Sequence, residues 1–522
     1  MAPPTPPLAP ETAAVQRRPI SARRVLSVCA LSSILSGCIS THGIAPYQQP
    51  LKPDTLALDA AIDTAQADAH WPQHAWWQAY GDAQLNRLMT QAQAGSPDLA
   101  AALARLREAK ALAGVAESAE QLQAEGQASL NRHGWPQDPF YGPGALSGAS
   151  TWDNHASIGL SYPLDLWGRE RATSEQALDV AHQRAAEARQ AQLELLNNVA
   201  KVYIQLALHF AQRDIVEREL AQQTQVLALA QRRLDAGMGT QLEVSQAQTP
   251  LPQTHRQLDS LDEAIALTRN QLMALAGLGP GSGRALNRPS LALAAPLPLP
   301  SHLPAELIGQ RPDVVASRWQ VAAQARGIEV AHAGFLPNVD LLGSLGFMAT
   351  GGSALSFFSA RKFTYQAGPA LSLPLFDGGR LRAQLGAASA GYDLAVAHYD
   401  QSVVQALKAI SDQLIRRESM QTQAHLAAES VATAQRSYDL ASLAFQRGLT
   451  GYLDVLNAQT QLLRQQQIQQ QVWAARLTVH AELATALGGG LQAGADTPAP
   501  ARQAAPPVPA ALRLMQPVEH RR

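Results

Sequence analysis

Four segments of the chain alternate apolar and polar residues with a period of two, which is the pattern of β-strands with one apolar face. In the clearest segment only Asn154 interrupts the apolar face, which consists of Trp152, Ala156, Ile158, Leu160 and Tyr162. A second segment has an apolar face of Phe363, Tyr365, Ala367, Leu371 and Leu373. Partner strands are predicted at residues 125–132 and 338–348. The pattern therefore predicts four strands, each of about ten residues.

Two other stretches are too long and too uniform for ordinary globular helices, which average three or four turns. Residues 169–233 contain no Pro or Gly, and at ~1.5 Å per residue they predict a helix of about 100 Å. Residues 380–447 predict a helix of similar length. Within it, Val431, Tyr438 and Phe445 follow one another at steps of seven residues, the spacing of a coiled coil. We expect these helices to pack along one another.

The sequence contains two copies of one unit. The segment 161–165, Ser-Tyr-Pro-Leu-Asp, recurs 211 residues later as Ser-Leu-Pro-Leu-Phe. The same spacing relates Gly237 to Gly448 and residues 242–244 to residues 453–455. Matches at a constant distance indicate an internal duplication. Each copy is predicted to run helix, strand, strand, long helix, tight turn and returning helix.

The duplication sets the predicted domain organisation. The first repeat spans residues 91–277 and the second spans 306–489, and each opens with a helix that starts at a Pro, at 97–122 and 312–335. The other segments are a signal peptide at 1–37, an N-terminal extension at 38–90, a linker at 278–305 and a tail at 490–522. The extension, linker and tail are rich in Pro, Gly and Ala, so we expect little burial in them and disorder in the tail.

The predicted strands suit a bilayer. About ten residues are enough for a strand to cross a bilayer at a tilt, whereas no apolar run approaches the roughly 20 residues of a spanning helix. The opposite face of the strands is small and polar, and aromatic residues lie near their ends. A closed barrel needs about eight strands, so a chain with four must share a barrel with copies of itself. A trimer supplies twelve strands. The alternation alone also fits the half-buried sheet of an ordinary protein.

The N-terminus has the features of a secretory signal. Four arginines precede the apolar run 25–35, and the run ends in Leu35-Ser36-Gly37-Cys38, which resembles the bacterial lipobox. The pattern predicts that Cys38 carries lipid after cleavage, and that two or three acyl chains anchor the protein to a membrane. Ile39 rather than Asp after the cysteine fits sorting to the outer membrane. The alternative is an ordinary signal peptide in which Cys38 stands by coincidence.

Composition argues against several other classes of protein. The formal net charge is −1, so nothing points to nucleic acid as a partner. The 14 His residues show no metal-ligand spacing, and the sequence contains no phosphate-binding loop or nucleophile elbow. We therefore expect no enzymatic activity, no catalytic residues, no metal site, and no cofactor apart from the covalent lipid on Cys38.

Both long helices end in a Gly-containing turn. Gly237 and Gly448 are predicted to terminate their helices in the left-handed conformation. Pro250 and Pro252 are predicted to break the first returning helix, whereas the second copy has no such break. We therefore expect two hairpins that are not equivalent.

These features together resemble the outer membrane factors of tripartite efflux pumps, of the TolC/OprM-like class and in particular the NodT-type lipoproteins. The resemblance rests on the lipobox, the duplication, the Ser-x-Pro-Leu corner and the turn 448–459, and it covers about residues 38–489. It implies a mixed β-barrel/α-barrel fold: a trimeric, 12-stranded transmembrane β-barrel continued by a 12-helix coiled-coil tunnel in the periplasm, with four strands per chain. The extension at 38–90 would then be periplasmic.

The resemblance also implies a function and partners. The protein would be the outer membrane channel of a tripartite, RND-type efflux pump that exports drugs or other small toxic molecules. A periplasmic adaptor protein would link this homotrimer to an inner membrane transporter. The adaptor is expected to contact the turns, namely Gly237, Gly239, Thr240, Gly448, Leu449, Thr450 and Gly451. A type I protein secretion duct and a periplasmic coiled-coil scaffold without a pore remain as alternatives.

Members of this class close the tunnel with acidic rings at its periplasmic tip. One such position matches Asp454, whereas the position three residues on, commonly acidic in the family, is Asn457. The expected gate consists of Asp454, Asn457, Tyr452, Leu453 and Leu456, with Glu243 at the place equivalent to Asp454 in the first repeat. Because Asn457 is neutral, we expect closure to rely on packing more than on charge. The alternative for Asp454 is an ordinary acid at the start of a helix.

Overall fold

The structure is a computed structural model that describes residues 41–51, 75–137, 147–293, 311–351, 353–355 and 358–490. The predicted signal peptide, Cys38 and all but the first residue of the predicted tail lie outside the described residues. The chain divides into two compact units. One contains the strands, with Gln123–Trp167 and Ala331–Ser389. The other contains most of the helical residues, with Pro46–Leu122, Gly168–Val330 and the chain from Ala390 onward.

The strand unit contains one antiparallel sheet. Its strands are β1 (Gln123–Gly134), β2 (Ser150–Pro163), β3 (Asn338–Thr350) and β4 (Phe363–Ser372), in that order across the sheet. All four predicted strands are confirmed, and β1 extends two residues beyond its prediction at each end. The central pairing joins the two repeats, because β2 of the first pairs with β3 of the second.

One face of this sheet is apolar. Across the strands, Ile158 stands opposite Leu345 and Leu345 stands opposite Tyr365, so the predicted apolar residues form continuous rows. Their side chains are exposed in the single chain, as are Tyr162, Leu341, Phe363 and Leu371. Residues of the opposite rows, such as Ser157 and Gln366, are small or polar. An exposed apolar face of this extent marks a surface that is covered in the working protein.

Hydrogen bonds hold the chain in place where β2 ends and the first long helix begins. After β2, the indole Nε1 of Trp167 donates to the carbonyl of Pro337 at 2.7 Å, and the Leu164 amide donates to the carbonyl of Val339 at 2.9 Å. Gly168 and Gly379 stand immediately before the two long helices, with φ of 72° and 90°. The duplicated Ser-x-Pro-Leu segments therefore lie at equivalent strand-to-helix connections.

The two long helices and the opening helix of each repeat begin and end within four residues of their predicted bounds, whereas the helix at Ala83–Gly95 was not predicted. The helices of the described residues are α1 (Ala83–Gly95), α2 (Pro97–Ser118), α3 (Arg169–Asp235), α4 (Gln241–Gln248), α5 (Leu251–Leu275), α6 (Pro312–Ala333), α7 (Arg380–Gln446) and α8 (Tyr452–Ala486). The helices α3 and α7 each contain 67 residues, which confirms the two long helices. In the described part of the chain, no helix combines the length and the hydropathy that crossing a membrane requires.

The expectation of little burial is wrong for residues 75–90 of the extension and for single residues of the linker, whereas residues 45–50 are exposed as expected. A 3-10 helix at Trp76–Tyr80 and helix α1 bury a dense set of side chains against α3, α5 and α8, among them Trp76, Trp77, Tyr80, Leu85, Leu88 and Met89. Leu286 of the linker joins the same cluster. Averaging composition over 53 residues hid this local concentration of apolar and aromatic residues.

A buried carboxylate fixes these segments to the first repeat. Asp82 caps α1 by accepting from the amides of Gln84 and Leu85. It also accepts from the Tyr203 hydroxyl at 2.9 Å and from the Ser290 amide at 2.8 Å. Hydrogen bonds to a charged acceptor are stronger than neutral ones. The Asp82 side chain therefore joins the extension to the long helix α3 and to the linker.

Candidate functional site at the hairpin turns

The two long helices end in the same type of turn. Gly237 and Gly448 adopt φ of 71° and 73°, which confirms the predicted left-handed conformation. In the first turn the Met238 amide donates to the carbonyl of Arg233 at 2.8 Å, and in the second the Leu449 amide donates to the carbonyl of Ala444 at 2.9 Å. This is the hydrogen-bond pattern of a Schellman C-cap, in which a residue with a Cβ would be strained.

The turns differ in how the returning helix starts. In the first, the Thr240 side chain accepts from the Glu243 amide while the Glu243 carboxylate accepts from the Thr240 amide, a reciprocal capping box. Gly239 is confined here, because an added Cβ would lie 3.0 Å from both the Glu243 carboxylate and the Leu234 amide nitrogen. In the second, Gly451 caps without a side chain and stands in open space. The first turn is therefore the more tightly fixed.

The returning helices differ as predicted. The first is interrupted after eight residues of α4, and α5 begins beside Pro250 and Pro252. The second is one helix, α8, of 35 residues. Pro250 has no amide hydrogen to continue the hydrogen-bond ladder of α4, which accounts for the break. The prediction of two non-equivalent hairpins is confirmed.

Each turn exposes a pair of large apolar side chains. Met238 is 70% exposed and Leu449 is 74% exposed, and these positions are equivalent in the two repeats. Leu242 and Leu453, also equivalent, are exposed one turn further on. Two exposed apolar pairs at matching places favour a surface that binds another protein. They lie among the predicted contact residues, of which Gly237, Thr240, Gly448, Thr450 and Gly451 are also exposed and Gly239 is half-buried.

Behind the turns, the two hairpins pack against one another. Ala230, Val244 and Ala247 of the first hairpin form one buried cluster with Phe445, Tyr452 and Val455 of the second. The Phe445 and Tyr452 rings have their centroids 6.0 Å apart, and the Arg233 guanidinium carbon lies 5.2 Å from the centroid of Phe445. We call Arg233, Phe445 and Tyr452 the hairpin clasp. A cation over an aromatic ring contributes about 0.5–2 kcal/mol, depending on its desolvation.

Polar atoms in and beside the clasp are buried without a hydrogen-bond partner in the described part of the chain. They are the Tyr452 hydroxyl, the Arg233 Nε and, one turn before Phe445, the Ser442 hydroxyl. Burial, and then the nearby Tyr438, raises the pKa of Tyr452 above its ordinary value. An unsatisfied buried polar atom costs about 1–3 kcal/mol. The packed arrangement of the hairpins is therefore less stable than its apolar contacts alone would make it.

The predicted gate residues fall into two groups. Tyr452 is 3% exposed and Leu456 packs against the same cluster, whereas Leu453, Asp454 and Asn457 are exposed. Asp454 lies in the first turn of α8. Glu243, its counterpart, uses its carboxylate in the capping box, and so the two acids have different hydrogen bonding.

Two members of the clasp, Arg233 and Phe445, were not among the predicted site residues. Phe445 did stand in the heptad pattern, but a contact between residues so far apart in the sequence leaves no local signal. Among the described residues, no group of three or more His, Cys, Asp or Glu side chains is placed to hold a metal ion.

Comparison with known proteins identifies the class. A sequence model of the outer membrane efflux protein family matches residues 88–278 and 303–489, more than half of the chain. The chain belongs to this family. It has the fold of trimeric channels with a β-barrel and a helical tunnel, and it is an outer membrane efflux channel. The protein is a homotrimer that works with a periplasmic adaptor and an inner membrane transporter.

Individual relatives give a more specific likeness. The chain is 50% identical to the fusaric acid resistance protein FusA of Burkholderia cepacia over 366 residues, 70% of this chain and 69% of FusA. It is 29% identical to the multidrug resistance outer membrane protein MdtP of Escherichia coli strain K12, over 91% of this chain and 98% of MdtP. Among solved structures, the outer membrane protein VceC of Vibrio cholerae is 31% identical with a TM-score of 0.75, over 81% of this chain and all of VceC.

Proposed function

We propose that this chain is the exit duct of a tripartite, RND-type pump that exports small toxic molecules, with aromatic acids such as fusaric acid as the first class to test. The observation that carries the proposal is the 50% identity to a fusaric acid resistance protein. The likeness to a multidrug resistance protein supports the wider class of drugs. The chain itself performs no chemistry in this account, and the inner membrane transporter supplies the free energy.

Deletion of the gene in its own bacterium tests this function. We expect susceptibility to fusaric acid and to several drugs to rise several-fold, and to return to the original level when the intact chain is supplied again. The spectrum of proteins in the growth medium should not change. Unchanged susceptibility together with the loss of a secreted polypeptide would contradict the proposal and favour the type I secretion alternative.

We further propose that Cys38 carries the lipid anchor, so that the protein is held in the outer membrane by acyl chains as well as by its strands. The lipobox supports this step. Metabolic labelling with palmitate should mark the wild-type protein and leave Cys38→Ser unlabelled. The Cys38→Ser protein should still insert, because the strands of a trimer bury far more apolar area than the acyl chains do. Label that persists in Cys38→Ser would exclude this anchor.

For the tip of the tunnel we propose a division of roles. The clasp and Leu456 hold the hairpins closed by packing, and Asp454 contributes one carboxylate per protomer to a ring around the axis. The burial of Tyr452 and the exposure of Asp454 support this division. Leu453 and Asn457 lie beside Asp454 on the exposed side, and Glu243 stabilises its own turn. The turn residues, with the exposed Met238 and Leu449, form the contact surface for the adaptor.

A further inference from the structure

A short segment near the N-terminus is bound to helix α7 through its main chain. The amides of Tyr47 and Gln48 both donate to Oδ1 of Asp393, each at 2.9 Å. The amide of Leu51 donates to Oδ1 of Asp400 at 2.8 Å. We call residues 46–51 the strap. It forms no regular secondary structure, so the acceptors for these amides come from the helix.

The spacing of the two acceptors fits an extended chain. Asp393 and Asp400 are seven residues apart, which is about 10.5 Å along a helix. Gln48 and Leu51 are three residues apart, which is about 10 Å in an extended segment. The strap therefore runs parallel to α7 and in register with two of its turns.

The contacts of the strap are independent of most of its side chains. Tyr47 is 89% exposed, and Gln48 is exposed as well. Only Leu51 packs inward, against the buried cluster that contains Val396, Tyr399 and Val403. The strap is thus held by three amides that donate to two carboxylates and by one apolar side chain. Hydrogen bonds to a charged acceptor are stronger than those to a neutral one.

We propose that the strap fastens the lipidated N-terminus to α7, an inference that rests on the proposed anchor at Cys38. Cys38 and Tyr47 are nine residues apart, and a fully extended chain of that length reaches about 30 Å. Asp393 and Asp400 are the positioning residues of this device. Without them the amides of Tyr47, Gln48 and Leu51 would lose these acceptors.

Hydrogen exchange on the intact trimer in detergent tests the strap itself. In the double variant Asp393→Ala/Asp400→Ala, exchange of the strap amides should rise at least about tenfold, the effect of losing about 1.4 kcal/mol. Asn at both positions keeps an oxygen acceptor, so this matched control should retain most of the protection. Strap amides that stay protected in the Ala variant would overturn the proposal.

A substitution in the strap controls for the possibility that the Ala substitutions disturb α7 itself. Gln48→Pro removes one donor on an exposed residue and leaves the helix unchanged. It should raise exchange in the strap while the amides of α3 keep their protection. Full protection of the remaining strap amides in this variant would also count against the proposal. These exchange measurements do not depend on lipidation, so they stand even if the palmitate test fails.

The coupling to the anchor needs a second measurement. In liposomes, we compare the melting temperature of the trimer with and without Cys38→Ser, first with the wild-type strap and then with the two Ala substitutions. If the strap transmits the anchor, the shift caused by Cys38→Ser should shrink to a small fraction once Asp393 and Asp400 are lost. If Cys38→Ser shifts the melting temperature by the same amount with and without the two Ala substitutions, the strap does not transmit the anchor.

Discussion

At the scale of single residues, Asp454 is the clearest test of what charge does in this channel. It is exposed in the first turn of α8, and a trimer places three copies of it around one axis. Three carboxylates around a narrow ring attract cations. Asp454→Ala should therefore lower the permeability of cations relative to anions in a planar bilayer, with little change in closure. The neutral but polar Asp454→Asn should behave in the same way. If trimeric Asp454→Ala keeps the selectivity of the wild-type protein, Asp454 is an ordinary acidic residue in the first turn of a helix.

His480 makes the stability of the helical unit depend on pH. Its ring is 6% exposed, its Nδ1 lies 3.3 Å from the Tyr80 hydroxyl, and burial lowers its pKa to about 4. An unfolded His has a pKa of about 6.5, so the unfolded chain binds the extra proton first as the pH falls. The stabilisation is complete above pH ~6.5 and is lost as the pH approaches 4, with about 2 kcal/mol gone by pH 5.

Melting curves at pH 7 and pH 5 check this prediction. The wild-type protein should lose more stability between the two values than His480→Gln, which cannot titrate but keeps a polar side chain. The same loss in both proteins would show that other groups account for the dependence on pH.

At the scale of elements, the exposed turns test the binding of the adaptor. Met238→Ser with Leu449→Ser removes the two most exposed apolar side chains of the turns. This pair of changes should weaken binding to the adaptor and reduce efflux, while the trimer forms normally. Leu242→Met with Leu453→Met keeps the surface apolar and should have little effect. Binding to the purified adaptor is the measurement, and full affinity of the Ser variant would exclude this surface.

Some features of the helices and strands can be predicted from the sequence, and others cannot. Periodicity predicts the strands and the long helices because the spacing of apolar residues repeats many times along each of these elements. The Gly of each turn is predictable because only one residue type adopts its conformation without strain. The burial of Trp76 and Tyr80 is different, since it depends on α3 and α8, which lie far away in the sequence. The contact of Arg233 with Phe445 was missed for the same reason.

At the scale of the whole molecule, assembly follows from the sheet. The strands β1 and β4 have free edges in the single chain, and the apolar face is exposed. Free edges and an exposed apolar face favour pairing with further copies. Native mass spectrometry after mild detergent extraction should give three chains and no stable folded monomer. A monomer with full strand content would contradict the shared barrel.

Three chains form one duct, and we propose that packing between the hairpins keeps its periplasmic end closed. Single-channel current in a planar bilayer tests this claim most directly. The wild-type trimer should conduct weakly. Phe445→Ala, which removes the ring between Arg233 and Tyr452, should conduct several-fold more, and Phe445→Leu should fall between them. Equal currents in all three proteins, each shown to be trimeric, would contradict a gate held by the clasp.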